Sequence, residues 1–413
     1  MTFLYNAAII VYHLLIKAAS IFSAKARQFT AGRRDWMNNL VAGTGHDTGY
    51  IWFHCASLGE FEQGRPLIEA IKNRNPGSKI LLTFFSPSGY EIRKNYPLAD
   101  VVMYLPPDTS GNARRFVGTI KPVMAIFIKY EFWNNYTRVL QANGIPLYLV
   151  SAIFRDNQVF FSKFPWGRWY REILGRFTHL FVQDESSAAL LRKIGINQCT
   201  ISGDTRFDRV AAIAGGSKPI PIVEKFIAGK PAIIAGSTWK PDEELISFFL
   251  NSYPDVKFII APHEVDEVHV NKLEQLLKTP SIRFSQAAKT DISDYRVLII
   301  DSIGLLSSLY RYGMMAYIGG GFGVGIHNIL EAATFGLPVV FGPNYTRFRE
   351  AREMVSLGAA FPVRNISDLE ETMGRLIKTP EMLKRASSLA RQFVLDNQGA
   401  TAAVMKILYQ DGK

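Results

Sequence analysis

The sequence predicts an α/β protein made of two doubly wound, Rossmann-like domains that face each other across a cleft. Three observations predict it. Short apolar runs alternate with helical stretches along most of the 413 residues. The runs are apolar throughout instead of alternating with polar residues, as strands of a parallel sheet covered on both faces must be. A glycine- and proline-rich break at Ala214–Pro221 then interrupts the alternation, which restarts after it. A chain of this length supports two or three domains, each with its own core.

Residues 1–35 form an apolar N-terminal helix followed by a basic segment. Phe3 to Phe22 is mostly apolar, yet Asn6, His13, Lys17 and Ser20 fall on one stripe of a helix. The remaining face carries Ile9, Ile10, Leu14 and Ile21. A spanning helix needs about 20 apolar residues. The polar stripe and Lys17 instead favour a helix lying in a membrane interface, with Lys25, Arg27, Arg33 and Arg34 near anionic headgroups. Packing of this helix on its own domain is the alternative. A cleavable signal is disfavoured, because no basic residue precedes the apolar run.

Residues 36–210 form the first Rossmann-like domain, with strands expected at 50–55, 79–84, 101–104, 123–128, 146–150, 179–182 and 198–201. Residues 211–228 read as a linker. Residues 229–385 form the second such domain, with strands at 232–235, 256–261, 297–301, 314–318 and 338–341. Residues 386–413 are helical and are expected to pack back on the first domain. Two such domains place ligands outside the carboxyl ends of their strands.

Composition narrows the function. The formal charge of +11 calls for nucleic acid, an anionic membrane or anionic substrates. The basic residues are scattered and no recognition helix is present, which argues against nucleic acid. Cys55 and Cys199 build no disulfide framework and no zinc-spaced cluster, and both read as small core residues.

The most informative stretch is Met314 to Pro343, MMAYIGGGFGVGIHNILEAATFGLPVVFGP. A strand runs into Gly319, Gly320, Gly321, Gly323 and Gly325, and a helix is expected from about Asn328. Glycines there let a ligand approach the backbone, and a helix start offers free N–H groups. Asn328 and Glu331 stand at capping-box spacing, and Glu331 is suited to a vicinal diol. These features imply an anionic, sugar-bearing ligand contacted by Gly320 and Gly321, with Gly236, Ser237 and Thr238 adding donors to an anion. The chain contains neither a dinucleotide fingerprint nor a Walker A run. In the first half, Glu60 follows Ser57-Leu58-Gly59 at a strand-to-helix junction, where the helix start favours an ionised carboxylate. Lys129, Glu131 and Trp133 crowd another strand end. Arg206 is suited to a phosphate or carboxylate, or to pairing with Asp204 or Asp208.

Taken together, S-L-G-E at 57–60, E-F-W at 131–133, S-G-D-T-R-F-D at 202–208, P-H at 262–263 and the Gly319–Pro343 block resemble the bacterial 3-deoxy-D-manno-octulosonic acid (Kdo) transferases. These are GT-B-fold glycosyltransferases of lipopolysaccharide biosynthesis. The resemblance covers nearly the whole chain and departs from the family pattern at Lys129, Pro262 and Leu305. It implies transfer of Kdo from CMP-Kdo to a lipid A precursor, with inversion, no metal and no cofactor, at the cytoplasmic face of the inner membrane. Glu60 is then the general base, with Glu131 and Arg206 assisting the transition state. Pro262, His263, Ile303, Gly304, Leu305, Asn328, Ile329, Leu330 and Glu331 would hold CMP, Glu331 on its ribose. The alternatives are a GT-B enzyme using a UDP-sugar, as a lipid-linked sugar transferase or epimerase does, and a non-catalytic protein binding anionic lipid.

Overall fold

A computed structural model describes residues 1–410; the last three positions of the expected C-terminal helical segment lie outside the described residues. The chain divides into two units: Met1–Arg209 together with the chain from Gly399, and Val210–Gln398.

The first unit is built on a seven-stranded parallel sheet. Its strands are β1 (Ile51–Cys55), β2 (Ile80–Phe84), β3 (Val101–Tyr104), β4 (Met124–Ile128), β5 (Leu147–Ala152), β6 (His179–Val182) and β7 (Cys199–Ile201), ordered β3-β2-β1-β4-β5-β6-β7. Every residue of β1 is buried, because helices cover both faces. Trp52 packs on one side with Phe116, Phe127 and Tyr136, whereas Phe53 joins Ile68, Leu82 and Ile126 on the other. That split is the two-residue period of a strand. The helix Ala400–Gln410 returns to the second of these faces through Val404 and Leu408.

The second unit repeats the plan with β8 (Ala232–Thr238), β9 (Lys257–Pro262), β10 (Ser281–Arg283), β11 (Val297–Ile299), β12 (Met315–Ile318), β13 (Val339–Phe341) and β14 (Ala360–Pro362). The order is β10-β11-β9-β8-β12-β13-β14, again parallel. The strands β10 and β14 were not expected from the sequence. Each has three residues and carries only one or two fully apolar side chains, too few to register as a run.

Both sheets have a switch point, where successive connections leave toward opposite edges: between β1 and β4 in the first unit and between β8 and β12 in the second. Open α/β sheets bind ligands at such points. The carboxyl ends of these four strands and the residues just past them carry Glu60, Lys129–Trp133, Gly236–Thr238 and the glycine block.

Two expected boundaries move. The 211–228 stretch is mostly helical. The helix Thr205–Gly216 runs straight through residue 211, and Pro221–Ile227 buries Val223 and Phe226. The break expected at 386 comes later, because Pro380–Asp396 is one continuous helix whose Ala386, Ala390, Phe393 and Val394 are buried. The chain turns away only at Gly399, where φ is +104°. Asp208 fixes that turn by accepting the Gly399 and Thr401 amides at 2.6 Å each.

The helix Thr2–Ala19 is long and apolar enough to cross a membrane, and none of its residues is fully buried. Tyr5 donates to buried Asp108 at 2.6 Å, and Asn6 accepts from Asn135 at 2.8 Å. His13 lies against Phe29. The polar stripe is thus turned largely onto the protein, while Phe3, Ile10, Leu14 and Leu15 face outward. Burying hydrogen-bonding groups against matching partners is favourable, whereas the same stripe facing lipid would be costly.

Candidate functional site: two strand-end loop clusters

In the first unit, β1 ends at Cys55 and the helix Leu58–Arg74 starts three residues later, placing Glu60 in its first turn. The Ser57 hydroxyl donates to the Glu60 carboxylate. This pins the side chain at the strand end and leaves it partly exposed. Glu131 follows β4 and is buried. Its Oε2 accepts from Trp133 Nε1 at 2.6 Å and lies 2.9 Å from His54 Nε2. A carboxylate only accepts, so the imidazole donates from Nε2.

His54 is wholly buried in β1, and its Nδ1 faces the Thr83 hydroxyl at 2.9 Å. Trp52 donates to that same hydroxyl from the neighbouring register position, at 2.8 Å. A buried polar relay thus runs Trp52–Thr83–His54–Glu131–Trp133. His54 and Trp52 were not singled out in the sequence. The single sign of them was two polar-capable aromatics inside an apolar strand.

The surroundings bring the charged groups together. Burial, then the charges of Glu60, Glu131 and Glu62, push the Cys55 thiol well up, which keeps it protonated and unreactive. Burial also raises the Tyr130 phenol, against the pull of Arg155 and Arg206 and with the push of Glu60. Glu60 and Arg206 therefore share the neighbourhood of Tyr130. Arg206 itself donates from Nε and Nη2 to the one oxygen Oδ2 of Asp204, at 2.9 and 2.7 Å, the pairing left open in the sequence. Burial works to raise the Asp204 carboxyl, but Arg206 and the Gln63 amide outweigh it and hold it below its usual value. Lys129 adopts φ +71° and Ser151, at the end of β5, φ +56°. Such left-handed non-glycine residues are costly and cluster at functional sites.

In the second unit, β8 ends in Gly236-Ser237-Thr238 with Ser237 at φ +53°. Gly236 is required for packing, since a Cβ there would meet the Tyr310 hydroxyl at 2.2 Å. Thr238 is buried and its hydroxyl donates to Glu243 at 3.0 Å, so it is not a free donor for an anion. The His263 amide donates to the Thr238 carbonyl, joining the ends of β8 and β9. The His263 ring is stacked between Trp239 at 4.5 Å and His327 at 4.6 Å. Trp239 Nε1 donates to His327 Nε2 at 3.1 Å. Burial, then the charge of His263, lower His327 to about 4, so it is neutral at pH 7 and able to accept that bond. Trp239 and His327 are further residues not singled out beforehand, because nothing in their spacing announces a stack.

The glycine block differs from the expected open cradle. The amides of Gly323 and Gly325 donate to the Gly320 carbonyl, and those of Gly319 and His327 to Gly236 and Gly319. Gly320 N donates to Asp242 Oδ2 at 2.9 Å. Gly321 lies on Gly342, where any Cβ would clash with backbone. The loop thus supports itself and spends these donors internally.

The helix expected from Asn328 is a single turn, Leu330–Ala333. So short a segment sums few peptide dipoles. Asn328 Oδ1 accepts the Leu330 amide and its Nδ2 donates to Glu331 Oε1 at 3.0 Å, an Asx turn instead of a reciprocal capping box. Asn328 is exposed and Glu331 partly so, while Ile329 and Leu330 are core residues. Ile303 and Gly304 lie on an exposed loop after β11, with Leu305 partly covered. A separate cavity of about 250 Å³ beside Trp239 and Phe322 is apolar except for Asp242, whose carboxylate already takes the Gly320 and Trp239 amides. Among the described residues, no group of three His, Cys, Asp or Glu is placed to hold a metal ion.

Residues 27–209 match the family model described as 3-deoxy-D-manno-octulosonic-acid transferase (kdotransferase). The 3-deoxy-D-manno-octulosonic acid transferase of Haemophilus influenzae is 25% identical, over 98% of this chain and 97% of that protein. That of Aquifex aeolicus is also 25% identical, over 81% and 88%. The chain is thus similar over most of its length to named Kdo transferases, which supports a glycosyltransferase. Its α/β two-domain GT-B-type fold is shared with more distant proteins. The UDP-GlcNAc 2-epimerase of Neisseria meningitidis superposes with a TM-score of 0.62 at 16% identity, over 88% of this chain and all of that one.

Proposed function

We propose that the protein transfers Kdo from CMP-Kdo to a lipid A precursor of the lipid IVA type, with inversion and without a metal. The observation that carries this is the gathering of Glu60, Glu131 and Arg206 at the switch point of the first unit. The similarity to Kdo transferases supports the sugar assignment. Glu60 takes the proton from the acceptor hydroxyl as its oxygen bonds to the anomeric carbon. The bond from that carbon to the CMP phosphate breaks in the same displacement, and CMP leaves as an anion. A leaving group of this kind needs positive charge and no general acid, the part given to Arg206. Glu131, fixed by His54 and Trp133, orients the acceptor.

In the second unit Asn328 and His263 are exposed and Glu331 and Ser237 partly so; they are assigned to CMP, with Glu331 on the ribose diol. Since the glycine loop spends its donors internally, nucleotide recognition falls to these side chains more than to a helix end. The outward apolar face of the first helix supports membrane association, which we assign to the cytoplasmic face of the inner membrane, where the anionic lipid acceptor is held.

The test is purified protein with CMP-Kdo and a tetra-acylated lipid A precursor, products read by mass. Wild type is expected to add Kdo. Glu60→Gln is expected to bind CMP-Kdo normally while turnover falls by about 10²–10⁴-fold, the range of a lost general base. Turnover with UDP-sugars instead of CMP-Kdo would overturn the donor assignment, and unchanged turnover in Glu60→Gln the role of that residue.

A further inference from the structure

We propose that a groove at the N-terminal helical hairpin is a binding site for one acyl chain of the acceptor lipid; the inference rests on the lipid acceptor proposed above. The helices Thr2–Ala19 and Ala24–Ala31 fold into a hairpin over the end of β2. Between them and the segment after β2 lies a groove of about 350 Å³. Tyr12, Ile16, Ala26, Phe29, Phe85 and Pro87 line it, with Ser23, Lys25 and Ser86 as its polar wall. A lining that is mostly apolar suits a hydrocarbon chain.

The groove is built firmly. Phe29 and Phe85 meet edge to face at 5.3 Å, and Tyr12 stacks on Phe85. Beneath them Arg33 is buried, its guanidinium 3.6 Å from the Phe29 ring centre. It donates to the backbone carbonyls of Phe29, Phe85 and Leu105, at 3.0, 2.5 and 2.9 Å. One side chain thus ties the second helix to the loops after β2 and β3 and holds the floor in place.

Two further observations select the occupant. Phe85 also packs on Trp133 at 5.0 Å, and Trp133 donates to Glu131. The groove is therefore one ring pair away from the relay at the strand ends, so a chain lying in it brings the attached sugar to that site. At its other end the hairpin turn carries Ile21 and Phe22, the latter 90% exposed, next to Lys25 and Arg27. Apolar side chains beside cations match a lipid whose acyl chains adjoin phosphate groups.

The test separates this site from the reaction. Ala26→Trp fills the groove from an exposed helix and removes no side-chain hydrogen bond. Transfer is measured with the tetra-acylated precursor and with its fully deacylated counterpart. The variant is expected to raise KM for the acylated acceptor about tenfold, the worth of roughly two buried methylenes, and to leave kcat/KM for the deacylated acceptor unchanged. An equal effect on both acceptors, or on neither, overturns the groove. A second measurement needs no donor sugar: a diacylated glucosamine phosphate with a photoreactive chain end is cross-linked to full-length protein. Adducts at residues 12–29 and 85–87, lost in Ala26→Trp, support the site even should transfer from CMP-Kdo fail. Adducts elsewhere, or unaltered by the variant, reject it even where transfer succeeds.

Discussion

Glu131 is held by two donors, His54 and Trp133, in a largely buried place. Removing one donor from a buried acceptor costs about 1–3 kcal/mol, because the group has already given up its hydration. His54→Ala is therefore expected to lower the unfolding temperature and to cut kcat while KM for CMP-Kdo stays constant. Thermal unfolding and initial-rate kinetics check both parts, and full turnover in His54→Ala would show that Glu131 does not depend on its partner. Asp204 offers a pH test at the same scale. Its folded pKa lies below the ordinary value of about 3.9. The stabilisation of the Arg206 pair is thus complete above about pH 4 and is lost as pH falls through the lower folded value. Asp204→Asn is expected to weaken the fold at neutral pH and to flatten the acid limb of an unfolding-midpoint series.

Among the elements, the stack of Trp239, His263 and His327 decides how the ends of β8, β9 and β12 stay together. His327 has a folded pKa of about 4 against about 6.5 unfolded. For a depressed histidine, stability is full above about pH 6.5 and declines as pH falls toward about 4, where the folded ring finally takes its proton. Protection factors over residues 315–341, which correct for the slower intrinsic hydrogen exchange in acid, are expected to fall between about pH 6.5 and pH 5 in wild type and much less in His327→Gln. The elements also show where reading a sequence succeeds. Strands covered on both faces, such as Ile51–Cys55, announce themselves as unbroken apolar runs, and the residues just past them fall at the switch points. What stayed hidden depends on partners distant in sequence: His54 needs Thr83 and Glu131, His327 needs Trp239 and His263. The glycine block was legible as a tight turn. That its amides close on Gly320, Gly236 and Asp242 is a property of the folded loop, and no spacing rule encodes it.

At the scale of the whole molecule, a net charge of +11 is combined with one helix that turns its polar stripe onto the protein and its apolar side outward. A bilayer-crossing helix has to leave the protein surface, and this one is tied to Asp108 and Asn135 by Tyr5 and Asn6. The arrangement fits a helix lying in the interface plane. The neighbouring helix Pro165–Leu174, which meets Tyr5 through Trp169, adds exposed Phe164 and Trp166 to the same unit. If the helix binds a membrane as proposed above, two contributions are separable: insertion of apolar side chains, insensitive to salt, and attraction of cations to anionic headgroups, screened over about 8–10 Å at ordinary ionic strength. Leu14→Glu with Phe22→Glu alters only exposed positions. It is expected to weaken binding to anionic vesicles by more than about tenfold in sedimentation assays, since burying one such side chain fully is worth about 1.5–3 kcal/mol. The residual binding should vanish at high salt, while wild type keeps a salt-resistant fraction. Vesicle binding that is unchanged in the double variant but abolished by salt would assign membrane contact to the basic surface alone and remove the helix from it.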